Sequence, residues 1–264
     1  MPPLKQNPMP SLKTELSNGI LTLTIDRPKA NAFNLALVGE LQSAFKQAAR
    51  DDGTRVLILT GAGRIFGAGQ DIEEIKAHGG ELSFREHLLK TYNPLVLQMR
   101  QIEKPVIAAI NGPCAGASLG IALACDLRVA VPEAWFKVGF AGIGLVPDSA
   151  VSLLLPALIG LGRATEFALT NDPISADHAL AWGLVNHIVP AESLMAEATS
   201  LAARLAPGPR TAFALTKRAF NKAVLPNLES VLDYEAHLQE IAGRSVEHKE
   251  GVAAFLEKRP PKFS

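Results

Sequence analysis

Two glycine-rich turns are the segments of this 264-residue sequence best suited to bind a negatively charged oxygen. The first, FGAGQDI at residues 66–72, follows an apolar run at residues 56–59. The second, NGPCAGASLG at residues 111–120, follows an apolar run at residues 106–110. Glycines let backbone N–H groups approach a ligand closely, and a buried helix N-terminus presents unpaired N–H groups and a partial positive charge. Side by side, the two turns would form an oxyanion hole from backbone alone. The alternative is that they only connect neighbouring elements, and for either turn in isolation that interpretation is favoured.

Asp148 is the candidate for moving a proton, and it lies in the segment GLVPDS at residues 144–149. Burial beside Phe136 and Phe140 would raise its pKa toward the range in which a carboxylate takes and returns a proton near neutral pH. A structural alternative stays open, because Pro-Asp-Ser is also good helix-capping sequence. Ser149 either bonds Asp148 or simply starts the helix that follows.

A different chemistry is suggested by Ser118, because residues 116–120 read Gly-x-Ser-x-Gly. In α/β-hydrolases that motif joins a strand directly to a helix and exposes the serine as a nucleophile. Here residues 111–115 intervene between the apolar run and the motif, and no His-Gly-Gly-Gly segment precedes it. A serine hydrolase is therefore kept as an alternative, for which labelling of Ser118 by a fluorophosphonate probe is the test.

Strands and helices alternate along the chain, which predicts an α/β fold of stacked ββα units. The predicted strands cover residues 20–25, 56–59, 106–110, 127–131 and 134–138. The predicted helices cover residues 38–49, residues 83–102 with an interruption or a kink near Pro94, a buried segment at 121–125 and a short segment around 153–155. From residue 193 onward the sequence is helical, so we predict a core at residues 1–190 and a helical region at residues 191–264.

Composition excludes several classes of function. Apolar residues make up 48% and charged residues 20%, which is typical of a globular protein. Lys plus Arg and Asp plus Glu balance at 26 each, so neither nucleic acid nor an anionic membrane is expected as a partner. Cys114 and Cys125 are predicted to be free and buried, and no Cys/His cluster has metal-ligand spacing. Residues 1–10 lack the apolar region of a signal peptide, which predicts a cytoplasmic protein.

Taken together, the motifs resemble those of the crotonase (enoyl-CoA hydratase/isomerase) superfamily. They run in the expected order over nearly the whole chain: FxAGxDI at 66–72, NGxxxG at 111–116, Cys-Asp at 125–126, GLVP at 144–147, AxxxGLV at 179–185 and EGxxAFxxK at 250–258. The resemblance implies a crotonase-like spiral of ββα units with a C-terminal helical trimerisation region. It also implies a homotrimer, or a hexamer built as a dimer of trimers.

An acyl-CoA thioester is the substrate that the resemblance implies, with its carbonyl oxygen held by the N–H groups of Ala68 and Ala117. Removing one such donor typically costs on the order of 100- to 1000-fold in rate. Coenzyme A would enter as part of the substrate, and no separate cofactor is implied. The residues implied in binding the acyl-CoA are Lys29, Ala30, Ala68, Gly69, Gln70, Asp71, Ile72, Gly116, Phe140, Phe255 and Lys258. Phe255 and Lys258 would reach the nucleotide bound to a neighbouring subunit, whereas Asp71 is also a good N-cap for the next helix.

The sequence departs from the hydratases at two positions. Hydratases of this superfamily use two glutamates, and Gly120 and Phe140 stand where those glutamates are expected. Adding water needs one group to deprotonate water and another to deliver a proton, and neither residue can do so. Asp148 matches the aspartate of the phenylacetate-pathway epoxide/enoyl-CoA isomerases and of the chlorobenzoyl-CoA dehalogenases. Dehalogenation is disfavoured because Phe140 replaces the tryptophan of those enzymes.

These departures predict an enzyme that isomerises an acyl-CoA, with Asp148 as its single acid/base. The double bond would move from position 3 to position 2 of an aliphatic enoyl-CoA, or a ring-derived acyl-CoA would be rearranged. A hydratase of weak activity, the serine hydrolase and a scaffold that binds acyl-CoA without turnover remain alternatives.

Overall fold

A computed structural model describes residues 11–77 and 83–263 of the chain. The strands are β1 Leu12–Ser17, β2 Ile20–Ile25, β3 Val56–Gly61, β4 Val106–Ile110, β5 Cys114–Ala115, β6 Leu127–Ala130, β7 Trp135–Lys137, β8 Ile174–Ser175 and β9 His187–Ile188. The α-helices are α1 Leu35–Arg50, α2 Ile72–Ala77, α3 Phe84–Lys90, α4 Tyr92–Gln101, α5 Ala117–Ala124, α6 Val151–Ile159, α7 Leu161–Thr170, α8 Ala176–Ala181, α9 Leu194–Leu205, α10 Arg210–Val224, α11 Leu228–Gly243 and α12 Val246–Glu257. Short 3₁₀ turns lie at Ala141–Ile143 and Ala191–Ser193.

The main sheet has the strand order β1-β2-β3-β4-β6-β9. Strands β1 and β2 pair in antiparallel fashion, and the other neighbours of this sheet pair in parallel. Every residue of β3 and β4 is buried, because helices cover both faces of the centre of a parallel sheet. A second, smaller sheet has the order β5-β7-β8. The fold is α/β, with successive parallel strands connected through helices, as the sequence predicted.

Pairing of β3 with β4 brings the two glycine-rich turns together. The strands run in parallel, with Leu57 opposite Val106 and Thr60 opposite Ala109. The carboxyl ends of parallel neighbours meet at one edge of a sheet, which is where ligands bind in open α/β folds. Each of these two strands is followed by one of the turns, so their predicted proximity is confirmed.

Helix boundaries differ from the predicted ones in ways that matter for the site. The interruption predicted near Pro94 within residues 83–102 is present, but it lies three residues earlier, where the chain breaks between α3 and α4 at Thr91, with φ −115° and ψ −88°. Pro94 lies in the first turn of α4, where its missing N–H is not needed. The buried helix predicted from residue 121 already begins at Ala117. That earlier start moves the helix N-terminus onto the second glycine-rich turn.

The helices after residue 193 pack onto the rest of the chain. Helix α9 lies against β3 and β4, and α11 lies against α3, α4 and α6. The division between residues 190 and 191 stays a prediction. Within the described ranges, none of the helices is both long and apolar enough to cross a membrane. The signal-peptide prediction for residues 1–10 lies outside the described residues, whereas Cys114 and Cys125 are buried and free as predicted.

A largely buried ionic cluster centred on Asp126 joins β4, α4 and α10. Its Oδ1 accepts a hydrogen bond from Arg100 at 3.0 Å, and its Oδ2 accepts one from Lys217 Nζ at 2.8 Å. The same Oδ2 accepts a hydrogen bond from the N–H of Val106, the first residue of β4, at 2.9 Å. The Lys217 side chain is only 9% exposed, so its charge depends on this carboxylate for compensation.

Replacing Asp126 by alanine is expected to lower the free energy of unfolding by about 3 kcal/mol, because two buried cations lose their counter-ion. Urea unfolding followed by circular dichroism measures the change. Asp52→Ala is the matched control, since the Asp52 side chain is 99% exposed in its ion pair with Arg210. The control should lower the free energy of unfolding by less than about 1 kcal/mol. An equal decrease in both variants would show that the cluster does not stabilise the fold.

Candidate functional site

The two glycine-rich turns contact each other through their backbones. The N–H of Gly67 donates to Pro113 O at 3.2 Å, and the N–H of Ala115 donates back to Gly67 O at 3.1 Å. A Cβ atom at Gly67 would lie 2.7 Å from Ser118 Cβ, and one at Gly69 would lie 3.0 Å from Ala115 O. Only glycine at these two positions allows the turns to approach so closely.

Ala117 presents an unpaired backbone N–H at the start of a buried helix. It is the first residue of α5, and it follows Gly116, which has a left-handed φ of 58°. Throughout the part of the chain that the structure describes, no group accepts a hydrogen bond from this N–H. Such orphan donors are normal in the first turn of a helix, where the helix dipole adds positive potential. The group is therefore available to a negatively charged oxygen.

Ala68 is exposed between the buried residues Gly67 and Gly69. Its N–H donates to Ala30 O at 3.2 Å, which is longer than the usual 2.9–3.0 Å. This contact was not foreseen from the sequence. A ligand oxygen that binds to the Ala68 N–H must share it with Ala30 O or displace that oxygen.

The loop that carries Ala30 is held firmly against the first turn. Lys29, Ala30 and Asn31 all have positive φ values, of 61°, 71° and 52°. Such conformations are unfavourable for residues other than glycine and persist only where the surroundings fix them. The Asn31 side chain supplies this fixation, because it donates to Ile65 O at 2.7 Å and accepts from the N–H of Arg27 at 3.0 Å.

Asp148 is buried, with 7% of its surface exposed, and both carboxylate oxygens have partners. Ser149 Oγ donates to Oδ1 at 2.8 Å, and Gln239 Nε2, on α11, donates to Oδ2 at 2.7 Å. Burial raises the pKa of Asp148 to about 6, although the hydrogen bonds from Gln239 and Ser149 lower it. The carboxylate is therefore ionised at neutral pH and still basic enough to take a proton.

The interpretation of Asp148 as a helix cap is wrong. The N-terminus of α6 is capped from a distance by Glu235 of α11, whose carboxylate accepts the N–H of Ala150 at 2.9 Å and that of Ser152 at 3.1 Å. Burial raises the pKa of Glu235 to about 7. Sequence analysis missed Glu235 and Gln239, which lie one turn apart on α11. Their only signal was a pair of polar residues at i, i+4 on a helix face that is otherwise apolar.

Gly120 brings the Asp148 turn next to the N-terminus of α5. A Cβ atom at Gly120 would lie 2.6 Å from Ser149 Cβ and 2.6 Å from Ser149 O. Gly120 lies three residues after Ala117, which corresponds to a rise of about 4.5 Å along the helix. The turn that carries Asp148 thus packs within one helical turn of the free Ala117 N–H. No side chain fits at position 120, and this includes a glutamate.

Ser118 is not available as a nucleophile. Its side chain is completely buried, and Oγ lies 2.6 Å from Gly67 O and 2.7 Å from Ala115 O. It also accepts the N–H of Ala115 at 3.1 Å. These partners are backbone groups, and the one side-chain contact, the buried Cys114 thiol 4.0 Å away, has a raised pKa and is not a base that would activate the hydroxyl. The serine hydrolase alternative is therefore wrong.

The other candidates of the first turn divide between the interior and the surface. Gln70 turns inward, where its Oε1 accepts the hydroxyl of Tyr92 at 2.5 Å. Asp71 caps α2 as predicted, because its Oδ1 accepts the N–H of Glu73 at 3.0 Å. Ile72 is the first residue of α2, and Lys29 is exposed on the neighbouring loop.

The remaining candidates lie on other elements. Phe140 is buried and begins the turn toward Asp148, since its carbonyl accepts the N–H of Leu145 at 3.0 Å. Phe255 is 58% exposed on α12, and Lys258 follows that helix with a left-handed φ of 55°. Their predicted contact with the nucleotide of a neighbouring subunit stays a prediction.

Comparison with known proteins places this chain among enzymes of one family. The sequence model of the family described as enoyl-CoA hydratase/isomerase matches residues 15–264. The chain is 39% identical to the 1,2-epoxyphenylacetyl-CoA isomerase of Escherichia coli strain K12, over 97% of this chain and 99% of that protein. It is 35% identical to the 4-chlorobenzoyl coenzyme A dehalogenase-2 of an Arthrobacter species, over 85% and 82%. The crystal structure of an enoyl-CoA hydratase from Mycobacterium avium subsp. paratuberculosis superposes with a TM-score of 0.87 at 37% identity, over 96% and 98%.

Asp148→Asn is expected to stabilise the protein at high pH. The pKa of Asp148 is raised from 3.8 to about 6 in the folded state, so the folded state binds more protons and loses stability as the pH rises through 6. Asparagine does not titrate, so the free energy of unfolding of the variant should exceed that of the wild type by roughly 2–3 kcal/mol at pH 8. This difference should vanish below pH 4. Urea titrations at pH 4, 6 and 8 measure this difference. The exposed control Asp52→Asn should show no comparable trend, and a flat difference for Asp148→Asn would contradict a desolvated carboxylate.

Proposed function

The chain belongs to the enoyl-CoA hydratase/isomerase (crotonase) family, and we propose that it is an isomerase that shifts the double bond of an enoyl-CoA. The observation that carries this proposal is the buried carboxylate of Asp148, on a turn that packs at Gly120, within one helical turn of the free Ala117 N–H. A carboxylate of raised pKa suits the removal and return of one proton. The other buried carboxylate nearby, Glu235, is occupied by the N–H groups of Ala150 and Ser152 at the start of α6.

Binding of the thioester is proposed to rest on two backbone donors. The carbonyl oxygen accepts hydrogen bonds from the N–H groups of Ala117 and Ala68, and the second is shared with Ala30 O. Donors that are already oriented stabilise the negative charge that develops on this oxygen, and so make the adjacent C2 protons more acidic.

Asp148 then moves the proton. Its carboxylate takes a proton from C2 of a 3-enoyl thioester, and the electron pair of the C–H bond enters the conjugated system to give a dienolate. The protonated Asp148 returns the proton to C4, so the double bond lies between C2 and C3 and the carboxylate is regenerated. Atoms and charge balance within this cycle, and the reaction as proposed uses no metal and no redox cofactor.

Hydration is disfavoured by the shape of the site. Adding water requires a second group that positions and deprotonates it, and the hydratases use two glutamates for this purpose. Position 120 has no space for a side chain, because a Cβ atom there would lie 2.6 Å from Ser149. Phe140, at the other position, has no group that can exchange a proton.

A ring-derived acyl-CoA is the second substrate class that we propose. The relative from Escherichia coli is named as an isomerase of 1,2-epoxyphenylacetyl-CoA, and the two chains align over nearly their whole lengths. The same oxyanion hole and the same carboxylate would serve a ring substrate, since both substrates pass through an enolate of the thioester.

We also propose that the C-terminal helices assemble the protein into a trimer or a dimer of trimers. Large apolar side chains are exposed on these helices, and such surfaces mark contacts with other chains. They are Leu215, Phe220, Tyr234, Ile241, Val246 and Phe255. In such an assembly Phe255 and Lys258 would contact the nucleotide bound to a neighbouring subunit, and light scattering in solution measures the oligomeric state.

The purified protein is expected to convert 3-hexenoyl-CoA into the conjugated 2-enoyl-CoA, followed by ultraviolet absorbance, without forming the 3-hydroxyacyl product. Asp148→Asn should lower kcat by about 100- to 10,000-fold, because the proton carrier is lost. In the wild type, kcat should fall below pH 6, where Asp148 becomes protonated. Asp52→Asn is the control, and its kcat should equal that of the wild type.

Other outcomes would identify the alternatives. Accumulation of 3-hydroxyacyl-CoA would show a hydratase, and conversion of a ring-derived acyl-CoA alone would restrict the proposal to ring substrates. Tight binding of acyl-CoA with no turnover of either substrate would show a non-catalytic scaffold and would reject the isomerase.

A further inference from the structure

The hydroxyl of Ser118, the residue after Ala117 in α5, lies beside the proposed oxyanion hole and has no role in the reaction above. It is buried completely, and its closest contact is Gly67 O at 2.6 Å. We propose that Ser118 is a positioning residue. Its hydroxyl bonds the oxygen of the peptide group that supplies the Ala68 N–H and so fixes the orientation of that group. This inference rests on the proposed function, because it concerns the same oxyanion hole.

The geometry of one peptide group carries the argument. Gly67 C=O and Ala68 N–H belong to the same planar unit, and in a trans peptide they point in opposite directions. Fixing the oxygen therefore fixes the direction of the N–H. Gly67 O receives two hydrogen bonds from the second turn, one from Ser118 Oγ at 2.6 Å and one from the Ala115 N–H at 3.1 Å.

This peptide group needs such fixation because glycines flank it. Gly67 precedes the Ala68 N–H and Gly69 follows Ala68, with a φ of 85°. Glycines rotate more freely than other residues, so a segment of this kind would otherwise sample several orientations of the N–H. A hydrogen-bond donor stabilises a developing negative charge best when it is already oriented toward it. Rotation of the Ala68 N–H would therefore weaken this stabilisation.

Ser118 also couples the two donors of the proposed oxyanion hole to each other. It follows Ala117 directly in α5, so its position is tied to the second donor. Its single proton is shared between Gly67 O and Ala115 O, at 2.6 and 2.7 Å. A hydrogen bond to a carbonyl also polarises the N–H of the same peptide group. Ser118 therefore sets both the direction and the strength of the Ala68 donor.

The test measures how strongly the bound thioester carbonyl is polarised. A saturated acyl-CoA labelled with ¹³C at the carbonyl is bound to the full-length protein, and isotope-edited infrared spectroscopy records its C=O stretch. The variants are Ser118→Ala, which removes the hydroxyl, and Ser118→Cys, which keeps a weak donor of similar size. Ser43→Ala is the matched control, because the Ser43 hydroxyl also bonds a backbone carbonyl, Gly39 O at 2.8 Å, but on the exposed face of α1.

The wild type is expected to lower the C=O frequency relative to free acyl-CoA, and Ser118→Ala should lose part of this shift. The kcat for 3-enoyl-CoA should fall roughly 3- to 10-fold, the factor that corresponds to one hydrogen bond, with KM changed less than about two-fold. The carbonyl shift and the kcat of Ser118→Cys should lie between those of the wild type and those of Ser118→Ala. Both values for Ser43→Ala should match the wild type.

The outcomes separate this inference from the proposed function. If Ser118→Ala and Ser118→Cys lower the melting temperature but leave the carbonyl shift at its wild-type value, Ser118 is only structural and the inference fails. An equal loss of the shift in Ser43→Ala would reject it as well. If the wild type itself binds acyl-CoA without any carbonyl shift, the oxyanion hole and the proposed isomerase fail together. A normal shift without turnover would reject the isomerase alone.

Discussion

Close backbone packing around the first turn of α5 is the constraint on which the candidate site depends. Gly67 and Gly69 let the first turn approach this helix from one side. Gly120 lets the turn that carries Asp148 approach it from another. A methyl group at position 67 or 120 would meet neighbouring atoms at less than 3 Å, so neither approach tolerates a side chain. For this reason the free N–H of Ala117 and the turn that carries the buried carboxylate lie within one turn of the same helix.

Much of this arrangement could be predicted from the sequence, because it follows from local patterns. Apolar runs that end at glycines indicate buried parallel strands, and parallel neighbours bring their carboxyl ends together. The direction of the pKa shift of Asp148 followed from its apolar surroundings. An interruption near Pro94 was predicted as well, but its position at Thr91 was not, because the helical pattern continues through that residue.

Contacts between distant segments could not be predicted. Gln239 reaches Asp148 over 91 residues, and periodicity alone gives no partner for a polar side chain on a helix. The bond from Ala68 to Ala30 depends on left-handed backbone at residues other than glycine, which no composition signal marks. The Gly-x-Ser-x-Gly motif suggested a nucleophile because a short motif does not specify the structure around it. Here Ser118 faces backbone carbonyls instead of solvent.

Helix α11 fixes the turn that carries Asp148 by two hydrogen bonds. Glu235 accepts the N–H of Ala150, and Gln239 donates to the Asp148 carboxylate. Ser149 and Ala150 have left-handed φ values of 55° and 63°, and such conformations cost about 1–2 kcal/mol each. Both holding residues are synthesised long after Asp148. Domains tend to fold from the N-terminus during synthesis, so the sheet and both glycine-rich turns can assemble on the ribosome before α11 emerges. A nascent chain would then have a formed oxyanion hole but a carboxylate held only by Ser149 of its own turn, and the acid/base would acquire its final orientation only when α11 docks.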